Sequence, residues 1–335
     1  MKIAVVGATG LVGREMLTVL EERGFGKEEV IAAASPKSVG KTIGFADRQL
    51  TVVSVDDAIA QRPHYAIFSA GAAASRQYAP RFVAAGTTVI DNSSAWRKEP
   101  DIPLVVPEIN IDAAIQAIGQ SANRAVIIAN PNCSTIQMVL ALSALQREYG
   151  IRRLVIATYQ SITGTGIKAV RQLEAEEKGI APAERAYVYN IHRNLFPHGG
   201  DFQPDGYTTE EQKLVDETRK IFADPAIAIT ATVVRVPVVG GHSEAVNVEL
   251  RKDYDLDEVR RLIAATPGVI LYDDPAQNLY PMPILAHHRD EVWVGRLRRD
   301  LSQPRSLNLW VVADNIRKGA ATNAVQIMEK LINKN

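Results

Sequence analysis

The chain has 335 residues, 46% hydrophobic and 23% charged, with 38 Lys plus Arg balanced against 38 Asp plus Glu. That balance excludes the basic footprint of a nucleic-acid binder, and no apolar run is long enough to span a bilayer. The single cysteine cannot form an intrachain disulfide and the first strand begins at Lys2, so a soluble, cytoplasmic protein without a signal peptide is expected, long enough for two domains.

Lys2-Ile-Ala-Val-Val6 reads as a buried strand running into Gly7-Ala-Thr-Gly10-Leu-Val-Gly13 and then a helix with apolar residues at helical spacing. Strand, glycine-rich turn and helix form the context of a dinucleotide site, in which glycines let the backbone approach a pyrophosphate at the helix N-terminus. The spacing is Gly-x-x-Gly-x-x-Gly, not the commoner Gly-x-Gly-x-x-Gly. The next strand, Val30 to Ala34, ends without the Asp or Glu that would bind a ribose 2′-hydroxyl. Ser35, Lys37 and Ser38 follow, a combination of hydroxyls and a cation suited to a 2′-phosphate, so NADP is favoured over NAD.

Further strands are expected at Tyr65 to Ala70 and at Thr87 to Ile90, with a helix between them. The polar loop Asp91 to Lys98 then places Arg97 at the carboxyl edge of the sheet, ready to meet an anion. Val105 to Asn110 reads as a short strand or turn. Val126 to Ala129 is a buried strand, broken by Asn130-Pro-Asn132, and helical periodicity resumes at Ser134. Cys133 therefore falls on the first helical turn, where unpaired N–H groups and the helix dipole favour the thiolate.

Beyond Gly150 the pattern changes. Longer, alternating strands are expected at 154–159, 227–236, 244–250, 291–297 and 307–313, with helices at 167–178 and 208–222 and a last amphipathic helix from Gly319 to Ile332. This is the pattern of a mixed or antiparallel sheet with helices on one face. Two segments carry chemistry: Thr158 to Gly166, a strand entering a glycine turn, and Val233 to Ser243, where Arg235 precedes a Gly-Gly hinge and His242. Arginine offers a fork for a carboxylate, and histidine ordinarily moves protons near neutral pH. Glu210 and Lys213 share one helix face, ordinarily an exposed ion pair. His287 and His288 are adjacent, point apart and lack acid or cysteine partners, so no metal is expected.

Taken together, Gly7 to Gly13, Ser35 to Ser38, Asp91 to Arg97, Asn130-Pro-Asn-Cys-Ser134, Tyr159-Gln160 and Arg235 to His242 resemble, in order and spacing, the bacterial aspartate-semialdehyde dehydrogenases along nearly the whole chain. Lys37, where Arg is usual, and Thr163-Gly-Thr-Gly166, where Ser-Gly-Ala-Gly is usual, are small departures.

The resemblance implies an N-terminal Rossmann-type domain (1–131, completed by the C-terminal helix 315–335) and a second α+β domain (132–314) of glyceraldehyde-3-phosphate-dehydrogenase type that carries catalysis and dimerisation. It implies Cys133 as the nucleophile, His242 as general acid/base and Gln160 positioning the substrate. Arg235 would clamp the α-carboxylate, Glu210 the substrate ammonium, and Arg97 with Lys213 the phosphate. NADP(H) would contact Gly7, Thr9, Gly10, Leu11, Val12, Ser35, Lys37, Ser38, Thr163, Gly164 and Asn315. The implied activity is reductive dephosphorylation of L-aspartyl-4-phosphate to L-aspartate 4-semialdehyde through a thioester, on the route to lysine, threonine, methionine and isoleucine. A homodimer or homotetramer without membrane or nucleic-acid partners is expected. The rival readings are an N-acetyl-γ-glutamyl-phosphate reductase and a non-catalytic NADP-binding relative.

Overall fold

A computed structural model describes residues 1 to 334 and divides the chain into two units, Met1–Asn132 with Ala320–Asn335, and Cys133–Gly319. These limits differ from the expected ones: Asn132 stays with the first unit and residues 315 to 319 with the second. Gly319 explains the second shift, because a Cβ there would lie only 2.8 Å from the Cβ of Cys133, tying this stretch to the second unit.

In the first unit, β1 (Lys2–Val6) enters the glycine turn and α1 (Leu11–Glu22), and is followed by β2 (Glu29–Ala33). A hairpin, β3 (Thr42–Phe45) with β4 (Arg48–Thr51), and a short helix α2 (Val55–Ala60) come next. Then come β5 (Tyr65–Phe68), α3 (Ala72–Ala84), β6 (Thr88–Asp91), α4 (Pro107–Gln120) and β7 (Ile127–Ala129). The five parallel strands lie in the order β2-β1-β5-β6-β7. Their near-continuous apolar runs fit a sheet covered on both faces.

One face packs Met16 and Leu20 of α1, Ala114 of α4 and Val325 and Met328 of the C-terminal helix Thr322–Ile332. The other packs Ala58 of α2 and Ala79 and Phe82 of α3. This is a doubly wound, Rossmann-type layer, and its order reverses at β1 and β5, where ligands bind in such sheets. The stretch 105–110, expected as strand or turn, instead enters α4 at Pro107, a residue preorganised for the first helical position.

The second unit opens with α5 (Cys133–Tyr149), then β8 (Ile151–Ser161), α6 (Ile167–Glu177) and α7 (Thr209–Ile221). It continues through β9 (Ala228–Val236), β10 (His242–Leu250), α8 (Leu256–Ala264), β11 (Val269–Leu271), α9 (Pro283–Ala286), β12 (Val292–Arg299) and β13 (Ser306–Ala313). The mixed sheet runs β11-β12-β13-β10-β8-β9, with β8–β9 and β11–β12 parallel and the other pairs antiparallel.

Ser134 to Leu142 of α5 are all buried, the mark of a helix enclosed on every side. It lies against β8, β10, β12 and β13. Strand alternation turns Leu154, Ile156, Thr158 and Gln160 of β8 inward with His242, Glu244, Val246 and Val248 of β10. The inward surface thus changes from apolar to polar toward the Cys133 end of α5.

Candidate active site

Cys133 is half-buried at the first position of α5, as its place after Asn130-Pro131-Asn132 predicts. The antiparallel register pairs Ser243 with Tyr159 and Glu244 with Thr158, which sets His242 alongside Gln160 at the same end of the sheet. Sγ of Cys133 and Nε2 of His242 are 3.2 Å apart, although 109 residues separate them in sequence.

His242 is fully buried, and its Nδ1 accepts a hydrogen bond from the backbone N–H of Ser161 at 3.0 Å. A backbone N–H can only donate, so Nδ1 holds a lone pair and the neutral ring carries its proton on Nε2, facing the sulfur. Burial, and then the nearby positive charge of Arg235, push the His242 pKa down to about 3, against a smaller opposing effect of Glu210. The near-neutral titration expected of a histidine is therefore lost here, because this ring has neither solvent nor a free nitrogen for a second proton.

Arg235 projects from β9, whose parallel register pairs it with Gln160. Its Nη1 donates to the carbonyl of Ser161 at 3.1 Å, while its buried Nε has no hydrogen-bond partner among the described residues. Gln160 donates through Nε2 to Ser134 Oγ and keeps a buried, unpartnered Oε1. Gly164 faces both Arg235 and His242: a Cβ there would lie 2.7 Å from Arg235 Nη1 and 3.2 Å from His242 Cε1. The glycine preserves open space beside the pair.

Glu210 and Lys213 do form an ion pair at 2.8 Å, but Glu210 is buried, which an exposed surface pair would not be. The helix bearing them starts with a reciprocal capping box between Thr208 and Glu211. Thr163 donates to Asn315 Oδ1 at 3.0 Å, and the same oxygen accepts from Gly241 N–H at 3.3 Å. The second unit therefore gathers Cys133, His242, Gln160, Arg235 and Glu210, with Thr163 and Asn315 joined beside the Gly241 hinge.

In the first unit, Gly7 has φ +90°, and a Cβ there would lie 2.3 Å from the carbonyl oxygen of Ser69. A Cβ at Gly13 would lie 2.1 Å from the Gly7 carbonyl, so this glycine brings α1 onto β1. Gly10 caps α1 without a side-chain bond, leaving the N–H groups beside Leu11 and Val12 available to an anion. Gly7, Ala34, Ser35, Ala70 and Tyr78 line a cleft at the carboxyl ends of β1, β2 and β5. Ser35 and Lys37 are exposed beyond β2, and Thr9 donates to Ser38 Oγ at 3.4 Å. These features fit a dinucleotide. Arg97 is buried and donates from Nη2 to the Asn92 carbonyl at 2.9 Å, so it is held in its loop, not solvated.

His287 and His288 do not point apart as their adjacency predicts, and they do have an acid partner. Their rings stack with centroids 3.7 Å apart, because His288 takes a left-handed backbone (φ +60°), and Asp314 completes a group of three possible ligands. Asp314 Oδ2 already accepts from His287 Nδ1 and His288 N, and Oδ1 from Ile316 N and Arg317 N. That carboxylate anchors a turn. Ser161, Ser134, Gln137 and Glu244 did not emerge from the sequence as site residues. Only Glu244 left a signal, being an acid two places from His242 and so on the same strand face.

A doubly wound dinucleotide fold in the first unit and a cysteine–histidine pair in the second are the equipment of an NAD(P)-dependent oxidoreductase. Residues 2–117 match the family described as "Semialdehyde dehydrogenase, NAD binding domain", and 142–318 "Semialdehyde dehydrogenase, dimerisation domain". Aspartate-semialdehyde dehydrogenase of Aquifex aeolicus is 47% identical, over 99% of this chain and 98% of that protein. The Bacillus subtilis protein of that name is 41% identical, over 99% and 97%. Among solved structures, aspartate semialdehyde dehydrogenase II of Vibrio cholerae complexed with ASA superposes with a TM-score of 0.92 at 44% identity, over 99% and 98% of the two chains. The chain belongs to the aspartate-semialdehyde dehydrogenase family.

Proposed function

We propose that the chain reduces L-aspartyl-4-phosphate to L-aspartate 4-semialdehyde with NADPH, releasing inorganic phosphate, through a thioester on Cys133. The observation that carries this reading is the 3.2 Å approach of Cys133 Sγ to His242 Nε2, flanked by Arg235 and Glu210. The Cys133 thiolate attacks the acyl carbon. A C–S bond forms, the C–O bond to phosphate breaks, and phosphate leaves with the electron pair and takes up a proton from water.

Bound NADPH supplies the hydride that reduces the thioester carbonyl. His242 offers its Nε2–H first to the sulfur and then to the oxygen on the carbon attached to it, stabilising negative charge on each. Collapse breaks the C–S bond and returns the thiolate. This sequence balances without a second proton on the imidazole, in keeping with a ring whose Nδ1 is occupied by Ser161. His242 thus works as a hydrogen-bond donor at Nε2.

Arg235 matches a substrate α-carboxylate through its planar fork, and Glu210 an α-ammonium. A buried carboxylate at Glu210 favours a free amine over the acetylated nitrogen of an N-acetyl-γ-glutamyl substrate, which has no charge to offer it. Gln160 positions the acyl group, while Arg97 and Lys213 receive phosphate. Gly7, Thr9, Gly10, Leu11, Val12, Ser35, Lys37, Ser38, Thr163, Gly164 and Asn315 hold the cofactor, and Lys37 with its serine neighbours favours NADP. The second unit carries homodimer or homotetramer contacts, which light scattering of the purified protein tests.

The deciding assay follows NADPH formation from aspartate semialdehyde. Turnover is expected with NADP and phosphate, to fail without phosphate, and to vanish in Cys133→Ala. Mass spectrometry of enzyme quenched during turnover is expected to find a four-carbon aminoacyl adduct on Cys133. Turnover by Cys133→Ala, or activity indifferent to phosphate, overturns the reading.

A further inference from the structure

Glu244 lies on β10 two residues beyond His242, on the same inward face, and is fully buried. Neither of its carboxyl oxygens closes a hydrogen bond with any described residue. Such a group is costly and uncommon in a folded protein. It is not alone. Across the register its partner is Thr158, whose buried hydroxyl also has no partner, and the same holds for Oε1 of Gln137, one turn beyond Cys133 on α5. These groups form one polar layer directly behind the cysteine–histidine pair.

Gln137 joins the layer to the pair, because its Nε2 donates to the main-chain carbonyl of His242 at 3.2 Å. It also lies close enough to Glu244 to act on that carboxyl group. We propose that Glu244 is a positioning residue: by holding the Gln137 amide it fixes the His242 main chain, and with it the reach of Nε2 to the Cys133 sulfur. This rests on the thioester reading above.

Burial raises the Glu244 pKa well above the ordinary carboxylate range, against a smaller opposing effect of the Gln137 side chain, and so favours the acid form, which has a proton to donate. Gln137 Oε1 is the matching acceptor, reached by rotation of the terminal carboxyl torsion, which is broad and soft. The acid O–H then orients the amide with Oε1 toward Glu244 and Nε2 toward His242. An ionised carboxylate would attract the amide N–H instead and turn it from the His242 carbonyl. The neighbours leave the acid neutral. On its own strand, the neighbouring β8 and α5, the titratable groups are Cys133, His242 and Tyr159 at the Glu244 end, with Arg147, Glu148, Tyr149, Arg152, Arg153 and Glu249 toward the other ends. β13 contributes none.

The test compares Glu244→Gln, Glu244→Met and Gln137→Leu in the full-length protein. Cys133 alkylation by iodoacetamide is read without substrate, and kcat and KM are read with substrate. Glu244→Gln, whose amide N–H replaces the acid O–H, is expected within threefold of the parent in every measure. Glu244→Met and Gln137→Leu are expected to slow alkylation and lower kcat by at least tenfold, with KM within threefold. The proposal is overturned if either of these two alkylates at the parent rate, if KM rises as much as kcat falls, or if Glu244→Gln is as impaired as Glu244→Met. Should Glu244→Met not fold, Gln137→Leu and Glu244→Gln decide the matter. Alkylation needs neither aspartate semialdehyde nor NADP, so its outcome stands apart from failure of the proposed activity.

Discussion

The backbone N–H of Ser161 meets Nδ1 of His242 at 3.0 Å and thereby decides which nitrogen of the ring faces Cys133 with a proton. Because a main-chain donor cannot exchange roles, this relationship should hold across the working pH range. Nitrogen-15 NMR of His242 is expected to show an unprotonated Nδ1 and a protonated Nε2 from pH 5 to pH 9. An imidazolium appearing near pH 6 would contradict the assignment. His242→Ala is expected to lower kcat by about 10²- to 10³-fold, the usual range for losing a hydrogen-bond donor aimed at developing negative charge.

The same ring makes stability depend on acidity. Its folded pKa, about 3, lies below the unfolded value of 6.5, so between these values the unfolded chain binds more protons. The contribution is fully present above pH 6.5 and is lost as pH falls toward 3. Between pH 7.5 and 4.5 this site alone costs about 3 kcal/mol, from two pKa units at ~1.4 kcal/mol each. Urea denaturation at the two pH values should show a smaller loss, by roughly that amount, in His242→Gln. Equal losses would place the acid sensitivity elsewhere.

Glu244 acts with the opposite sign. Its folded pKa is raised, so the native state is the one that retains a proton once pH exceeds the ordinary carboxylate range. Stability is therefore drawn down as pH rises, and Glu244→Gln should gain on the parent protein between pH 5 and pH 8. Urea midpoints that stay parallel across this range would mean that Glu244 does not hold its proton.

Gly164→Ala is a steric probe of the carboxylate clamp. Its new methyl would lie 2.7 Å from Arg235 Nη1, the flexible end of a side chain that can shift, so the fold should survive. The displaced guanidinium is expected to raise KM for aspartate semialdehyde about tenfold, the equivalent of ~1.4 kcal/mol in a charge-assisted contact. Unchanged kinetics would show that Arg235 does not hold the substrate.

Cofactor choice should reside in the loop after β2. Ser35→Asp introduces the acid that a ribose 2′-hydroxyl prefers and a 2′-phosphate rejects. Combined with Lys37→Ala, it is expected to shift the kcat/KM ratio of NADP to NAD by at least tenfold toward NAD. A ratio that does not move would locate the selectivity outside Ser35 and Lys37.

Local chemistry made much of this molecule legible before its fold was known. Gly7, Gly10 and Gly13 announce themselves because a strand followed at once by a helix needs a turn without side chains, and the Gly7–Ser69 approach shows how little room there is. Cys133 could be placed on a helix start because Pro131 ends one periodicity and Ser134 begins another. Glu210 and Lys213 could be placed on one helix face, but not inside the protein, since burial depends on what the fold lays over them.

Where the sequence misleads, the deciding contact is remote or lies in the backbone. His287 and His288 looked incapable of facing one another until a left-handed φ and the carboxylate of Asp314 brought them together. The proton on His242 depends on the amide of Ser161, and a main-chain donor leaves no trace in residue type. By itself the sequence determined which residues could do chemistry and which local element each occupies, because helix and strand periods, glycine turns and side-chain pKa ranges are short-range properties. Only the tertiary structure decided the protonation and reach of those residues. Strand register sets His242 beside Gln160 and Glu244 against Thr158, and closing the sheet over α5 removes the water that would otherwise hold each group at its ordinary charge.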